Sequence, residues 1–299
     1  MVGVELIDVT ARDGLQNESR IFSTEEKIDL IDMALLAGFR RLEVASFVHP
    51  KRVPQMADAE AVLKRLPSRS DVTYIGLVMN MRGVERALET KVDELGCVCV
   101  ATDTFATRNQ GQTSRESVEV CQEMIKRALS EGRAANVTIA AAFGCPFEGE
   151  VSLQHVVDMT KALAEAGPHE ISIADTIGVG NPWQTGELFA AVAEAVPGIS
   201  LRGHFHNTRN TGLSNAYAAI EAGANALDVS IGGIGGCPFA PNATGNVPAE
   251  DLAYMLERGG LDTGVSIDGI VSAAHWLTEK MERTLPGMVS RAGGFPSKA

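Results

Sequence analysis

Two histidines separated by a single residue, His204-Phe205-His206, sit in a short apolar run. In an extended strand residues i and i+2 share a face, so both imidazoles can reach one ion. Taken alone, such a pair fits a polar interior as well as it fits a ligand pair. Asp13 and Asn246, each just beyond a strand-like run, add two oxygen donors. Two nitrogens and two oxygens suit Mg²⁺, Mn²⁺ or another divalent ion with open water positions better than a closed structural zinc site.

Arg12 precedes Asp13. A guanidinium fixed there either makes a structural ion pair or stabilises negative charge developing on a carbonyl oxygen, since arginine is never deprotonated. Glu43 and Asp175 are carboxylates inside apolar runs. They need partners such as Arg12, a ligand histidine or the waters of an ion, and support of those groups is the leading reading, with direct proton transfer the alternative. Cys237 follows the glycine-rich stretch Gly232-Gly233-Ile234-Gly235-Gly236. It is either an incidental loop residue or a thiol that donates and accepts protons, with its acidity raised near a metal.

These residues need a scaffold that gathers strand ends. Eight brief runs are apolar and β-branched enough for strands buried on both faces: Val4–Thr10, Arg41–Phe47, Val72–Met79, Glu94–Ala101, Val137–Phe143, Glu170–Thr176, Ser200–His206 and Ala226–Ile231. Segments of helical period lie between them, including Thr24–Leu36, Ser114–Glu131, Ser152–Ala166, Gln184–Val196 and Thr211–Glu221. Ser23 and Thr24 before Glu25-Glu26, and Ser114 before Glu116, read as caps; Gly38, Gly132, Gly167 and Gly223 read as helix stops. A doubly wound open sheet would want a G-x-G-x-x-G turn after the first strand, which is missing. The expected fold is therefore α/β, a (β/α)₈ TIM barrel, whose functional groups collect at the C-terminal ends of the strands. No Pro/Gly/Ser-rich linker divides the chain, so residues 1–299 are expected to form one catalytic domain. Ala249–Glu257 and Ile267–Arg283 supply the eighth helix and a C-terminal helical addition spanning about 262–299.

Composition excludes several classes of function. With 45% apolar and 21% charged residues the chain is globular rather than disordered. A net charge of −12 supplies no general field for nucleic acid or an anionic membrane, so neither is expected as a partner. No leader-like N-terminus or long apolar run is visible, and the expectation is a cytoplasmic protein. The five cysteines lack a CxxC pattern, and Cys97 and Cys99 share one strand face as small core side chains.

Several segments together resemble hydroxymethylglutaryl-CoA lyases of the metal-dependent barrel lyase and synthase superfamily. They are Ala11-Arg12-Asp13-Gly14-Leu15-Gln16-Asn17-Glu18, Ser46-Phe47-Val48-His49-Pro50-Lys51, Gly144-Cys145-Pro146-Phe147-Glu148-Gly149, Asp175-Thr176-Ile177-Gly178-Val179-Gly180, and Gly235-Gly236-Cys237-Pro238-Phe239-Ala240 with Thr244-Gly245-Asn246. The resemblance implies metal ligation by Asp13, His204, His206 and Asn246. It implies enolate stabilisation by Arg12, proton handling by Cys237, and Glu43, Asp175 and Gln16 lining the site, with Arg12, Gln16 and Thr176 toward the substrate. The substrate would be an acyl-CoA, 3-hydroxy-3-methylglutaryl-CoA, split at C2–C3 into acetyl-CoA and acetoacetate in a retro-aldol or Claisen-type step. The base stays open between His204, Asp13 and a water on the ion. A homodimer is implied, and no organic cofactor is required.

Two segments depart from the family's usual pattern. After the histidine pair an acidic residue is usual, whereas Asn207-Thr208-Arg209-Asn210 removes a carboxylate and adds a cation beside the expected metal site. The stretch 102–111, Thr-Asp-Thr-Phe-Ala-Thr-Arg-Asn-Gln-Gly, also differs. Both bear on the acyl group. A lyase for citramalyl-CoA or a longer 3-substituted glutaryl-CoA is the nearest alternative, and an isopropylmalate-synthase-like condensing enzyme a more remote one. Lys51, Arg52 and Arg108 are candidate contacts for CoA, with solvated surface charge the competing role.

Overall fold

A computed structural model describes residues 3–236 and 245–296. Eight parallel strands close into a barrel: β1 (Glu5–Asp8), β2 (Arg41–Ser46), β3 (Thr73–Val78), β4 (Glu94–Val100), β5 (Ala134–Ala140), β6 (Glu170–Asp175), β7 (Ser200–Phe205) and β8 (Ala226–Val229). Closure is by β1 on β8, with Glu5 opposite Ala226 and Asp8 opposite Val229. The helices are α1 (Thr24–Leu36), α2 (Ala59–Arg65), α3 (Met81–Leu88), α4 (Asp103–Gln110), α5 (Ser114–Ser130), α6 (Leu153–Ala164), α7 (Pro182–Ala195), α8 (Gly212–Glu221), α9 (Ala249–Arg258), α10 (Ile267–Met281) and α11 (Val289–Ala292). The expected TIM barrel and its helical addition are both present.

Local chemistry explains most boundaries. Ser23 and Glu26 form a reciprocal capping box that starts α1. The box on α5 is made by Thr113 with Glu116, so Ser114 is the first helical residue rather than the cap. The fifth strand is the one misplaced expectation, running Ala134–Ala140 and not Val137–Phe143. Its first half, Ala134-Ala135-Asn136, carries little strand signal. The run ends because Ala141 turns to φ 56° and Gly144–Cys145 pairs antiparallel with Gly149–Glu150 in a small hairpin.

Side-chain alternation sends half of each strand into the lumen and half under the helices. Leu95, Cys97 and Cys99 of β4 point outward; Cys97, Cys99 and Cys121 are wholly buried core residues. The lumen itself is charged at its N-terminal end. There Arg41 bridges Glu94 and Glu170, and Arg202 lies between Glu170 and Asp228, 3.3 and 3.6 Å from their oxygens. The C-terminal helices cover the barrel's closing seam. Ser266 donates from its backbone to Ala37 at the end of α1, and Leu285 packs against Gly232. Among the described residues no helix is long and apolar enough to cross a membrane.

Candidate active site

Beyond β1 the backbone makes one π-type turn over Thr10–Gly14, with Gly14 N–H donating to the Val9 carbonyl at 3.1 Å. Such widened turns concentrate at functional sites because they re-aim neighbouring side chains. Here the turn presents Arg12 and Asp13 to the mouth of the barrel. Arg12 pairs with Asp13 at 2.6 Å and with Glu43 from β2. Burial works against the charge of Arg12, but the two carboxylates outweigh it and hold the guanidinium firmly protonated.

His204 of β7 and His206 just beyond its end hold their Nε2 atoms 3.3 Å apart. Nδ1 of His204 meets Asp228 of β8 at 2.9 Å. Burial would favour neutral His204, yet Asp228 raises its pKa above the ordinary value. Burial and then His204 push His206 down to about 4, so its ring is neutral at pH 7. Asp13 feels the opposite balance: burial favours its acid, and Arg12 with both imidazoles drives it well below the usual carboxylate range. The ligand atoms of Asp13, His204 and His206 all lie within 4.8 Å of one another.

Asn246 reaches the same cluster from the far side of the glycine-rich segment, donating through Nδ2 to Asp13 at 2.8 Å and to the Ile234 carbonyl at 3.1 Å. Its Oδ1 and Nδ1 of His206 are buried without a partner. Unpaired buried donors and acceptors are costly, and next to an ionised aspartate and a neutral imidazole they make a donor set that fits a divalent cation. Asn246 gets so close because Gly235 and Gly245 both sit at φ 108°. A Cβ on Gly235 would stand 2.6 Å from Nδ2 of Asn246, and one on Gly245 would stand 2.2 Å from the Gly233 carbonyl.

The cluster opens on a cleft of about 850 Å³ including its mouth, lined also by Gln16, Glu43 and Thr176. Thr176 Oγ1 in addition accepts the Ala141 N–H at 2.8 Å. Asp175 is placed differently from the expectation that it lines the site. Since Ala174 and Thr176 face the lumen, the residue between them faces out, and its carboxylate accepts N–H bonds from Val179 and Gly180 at 2.9 Å. The expected extra cation beside the histidines is also spent elsewhere: Arg209 donates to the carbonyls of Ile177 and Gly178. Asn207 accepts from Gly212 N–H at the start of α8. Arg108 lies over the Phe147 ring at 4.1 Å, whereas Arg52 lines a separate surface groove with His49, Arg82 and Arg86. Cys237 lies outside the described residues; Gly236, which precedes it, lines the cleft.

One participant escaped the sequence reading. Asp228 was detectable as a carboxylate in the four-residue apolar run Ala226–Val229, the same signal that marked Glu43.

The family model described as HMGL-like matches residues 3–277. The chain belongs to the HMGL-like family. Within it, the chain is 38% identical to hydroxymethylglutaryl-CoA lyase YngG of Bacillus subtilis, covering 95% of each. It is 36% identical to (R)-citramalyl-CoA lyase of Chloroflexus aurantiacus, covering 98% of this chain and 96% of that one. Among solved structures, an HMG-CoA lyase from Acinetobacter baumannii in complex with coenzyme A and 3-methylmalate superposes with a TM-score of 0.94 at 36% identity, covering 99% of this chain and 97% of that one. The HMGL-like assignment and the closed parallel barrel agree.

Proposed function

We propose that the protein is a carbon–carbon lyase that cleaves 3-hydroxy-3-methylglutaryl-CoA to acetyl-CoA and acetoacetate. The observation that carries this reading is the convergence of Asp13, His204 and His206 beside Arg12 inside one cleft. Asp13, His204, His206 and Asn246 would hold a divalent ion, Mg²⁺ or Mn²⁺. When bound, that ion supplies Lewis acidity toward the hydroxyl and carboxylate oxygens of the substrate.

The chain's own residues do the rest. A base at the cluster takes the C3 hydroxyl proton, the oxygen electrons form the ketone, and the C2–C3 bond pair moves onto the acetyl-CoA fragment as its enolate. Arg12, held by Asp13 and Glu43, stabilises the enolate oxygen in a buried setting where a fixed charge is worth far more than in water. Cys237, the residue after cleft-lining Gly236, returns a proton to C2 and completes acetyl-CoA. Gln16 and Thr176 orient the acyl group, while Asp175 shapes the loop after β6. In the surface groove Arg52 and Arg82 suit the phosphates of a CoA handle, Arg86 being paired with Glu60. No membrane or nucleic acid is involved; the enzyme works in the cytoplasm, as a homodimer.

Acetyl-CoA release from 3-hydroxy-3-methylglutaryl-CoA with Mg²⁺ or Mn²⁺ tests this directly. Cleavage that is abolished by EDTA and lost in His206→Ala and Cys237→Ala is the expected result. A folded, metal-loaded protein that releases none would sink the substrate assignment.

A further inference from the structure

The lumen beneath the Asp13–His204–His206 group holds a charge that no step of the cleavage uses. Arg202 and His204 are two apart on β7, so both point into the lumen, with Arg202 one layer nearer the N-terminal end. β8 runs alongside with Ala226 opposite Arg202 and Leu227 opposite Gly203, which brings Asp228 to the level of His204. Arg202 is 1% exposed. Its Nη2 donates to Oδ1 of Asn136 at 2.7 Å, tying the guanidinium across to β5, and Glu170 of β6 stands 3.3 Å from its Nε. The Asp228 carboxylate is shared between the two layers. Oδ2 meets Nδ1 of His204 at 2.9 Å, while Oδ1 faces Nε of Arg202 at 3.6 Å and is buried without a hydrogen bond among the described residues.

We propose that Arg202 is a positioning residue: by drawing Oδ1 of Asp228 downward it keeps Oδ2 on Nδ1 of His204, and so aims Nε2 of His204 at the ion. The inference rests on the reading that Asp13, His204, His206 and Asn246 hold a divalent cation. The terminal torsion of an aspartate has broad preferences, so the carboxylate turns unless something fixes both oxygens. Arg202 is fixed from two other strands and supplies that restraint. The proposal carries a sign of its own. Through space, a guanidinium repels a divalent cation, and its removal would tighten metal binding if charge alone mattered. Acting through Asp228, its removal must weaken binding.

Calorimetric titration of the full chain with Mn²⁺ separates the two. Arg202→Met should bind Mn²⁺ about tenfold more weakly than the native protein, with far-UV circular dichroism confirming the fold. Arg202→Lys, which keeps the charge, should recover part of the loss. Combined with Asp228→Asn, Arg202→Met should add no further loss, because both act through one carboxylate. Should Arg202→Met fail to fold, Arg202→Met with Glu170→Gln removes one charge of each sign and is held to the same comparison. Equal or tighter Mn²⁺ binding by a folded variant overturns the inference and keeps the metal reading. If the native protein binds no Mn²⁺, the metal reading fails, and imidazole ¹⁵N spectra of the metal-free proteins decide the inference alone. His204 should carry its hydrogen on Nδ1 in the native protein and lose that preference in Arg202→Met; an unchanged spectrum removes the positioning role.

Discussion

A carboxylate can only accept, so the contact between Asp228 and His204 places the hydrogen on Nδ1 and leaves Nε2 free to face the cluster. Arg202 keeps Asp228 ionised against its burial. Asp228→Asn should therefore weaken divalent-ion affinity by about 10- to 100-fold while the fold survives, as titration calorimetry with Mn²⁺ would reveal. Unchanged affinity would reduce Asp228 to a structural partner of Arg202. Arg12 makes a different kind of contribution. Its charge matters most when negative charge appears on the substrate, so Arg12→Met should lower kcat by about 10²- to 10³-fold with little change in KM. A loss confined to KM would assign it to ground-state binding instead.

At the scale of elements, the strand period decides which residues become chemistry. His204 and His206 were legible because i and i+2 share a face whatever the surroundings. Asp175 was misjudged because its type was weighed before its parity: Ala174 and Thr176 take the lumen positions, and the carboxylate turns to the Val179 and Gly180 amides. Arg12 and Asp13 after β1 were readable as a motif, but the π-type turn that aims them was not, because Thr10–Gly14 has no residue requiring that geometry. Arg209 looked like a cation for the site since sequence adjacency to His206 says nothing of the loop fold that carries it to the Ile177 carbonyl. Helix starts were the most readable features, and they carry measurable energy. Ser23→Ala removes the cap of α1 and should cost about 1 kcal/mol in urea unfolding. Leu30 on the same helix is fully buried, and Leu30→Ala should cost about 3 kcal/mol.

For the whole molecule, two buried carboxyl groups outside the Asp13–His204–His206 group set a pH dependence. Burial pushes Asp8, the last residue of β1, and Glu250 of α9 up to about 7. An acid whose folded pKa is raised contributes its full share below the unfolded pKa, and that share is lost as pH climbs through the folded value. Stability should thus fall from about pH 4 to about pH 7 and level off above, by on the order of 3 kcal/mol for Glu250. Thermal melts across that window should show a steeper decline for the native protein than for Glu250→Gln; parallel declines would contradict the assignment. The seam between β1 and β8 has a further consequence, for the history of each molecule rather than its equilibrium. Asp13 and Asn246 are 233 residues apart, a stretch that takes a ribosome roughly ten to fifty seconds to add. Throughout that interval β1 presents an unpaired edge, and Asp13 exists without His204, His206 and Asn246. The nascent chain thus passes through a half-built stage that is both sticky and unable to hold an ion, and the site comes into being only when synthesis has nearly ended.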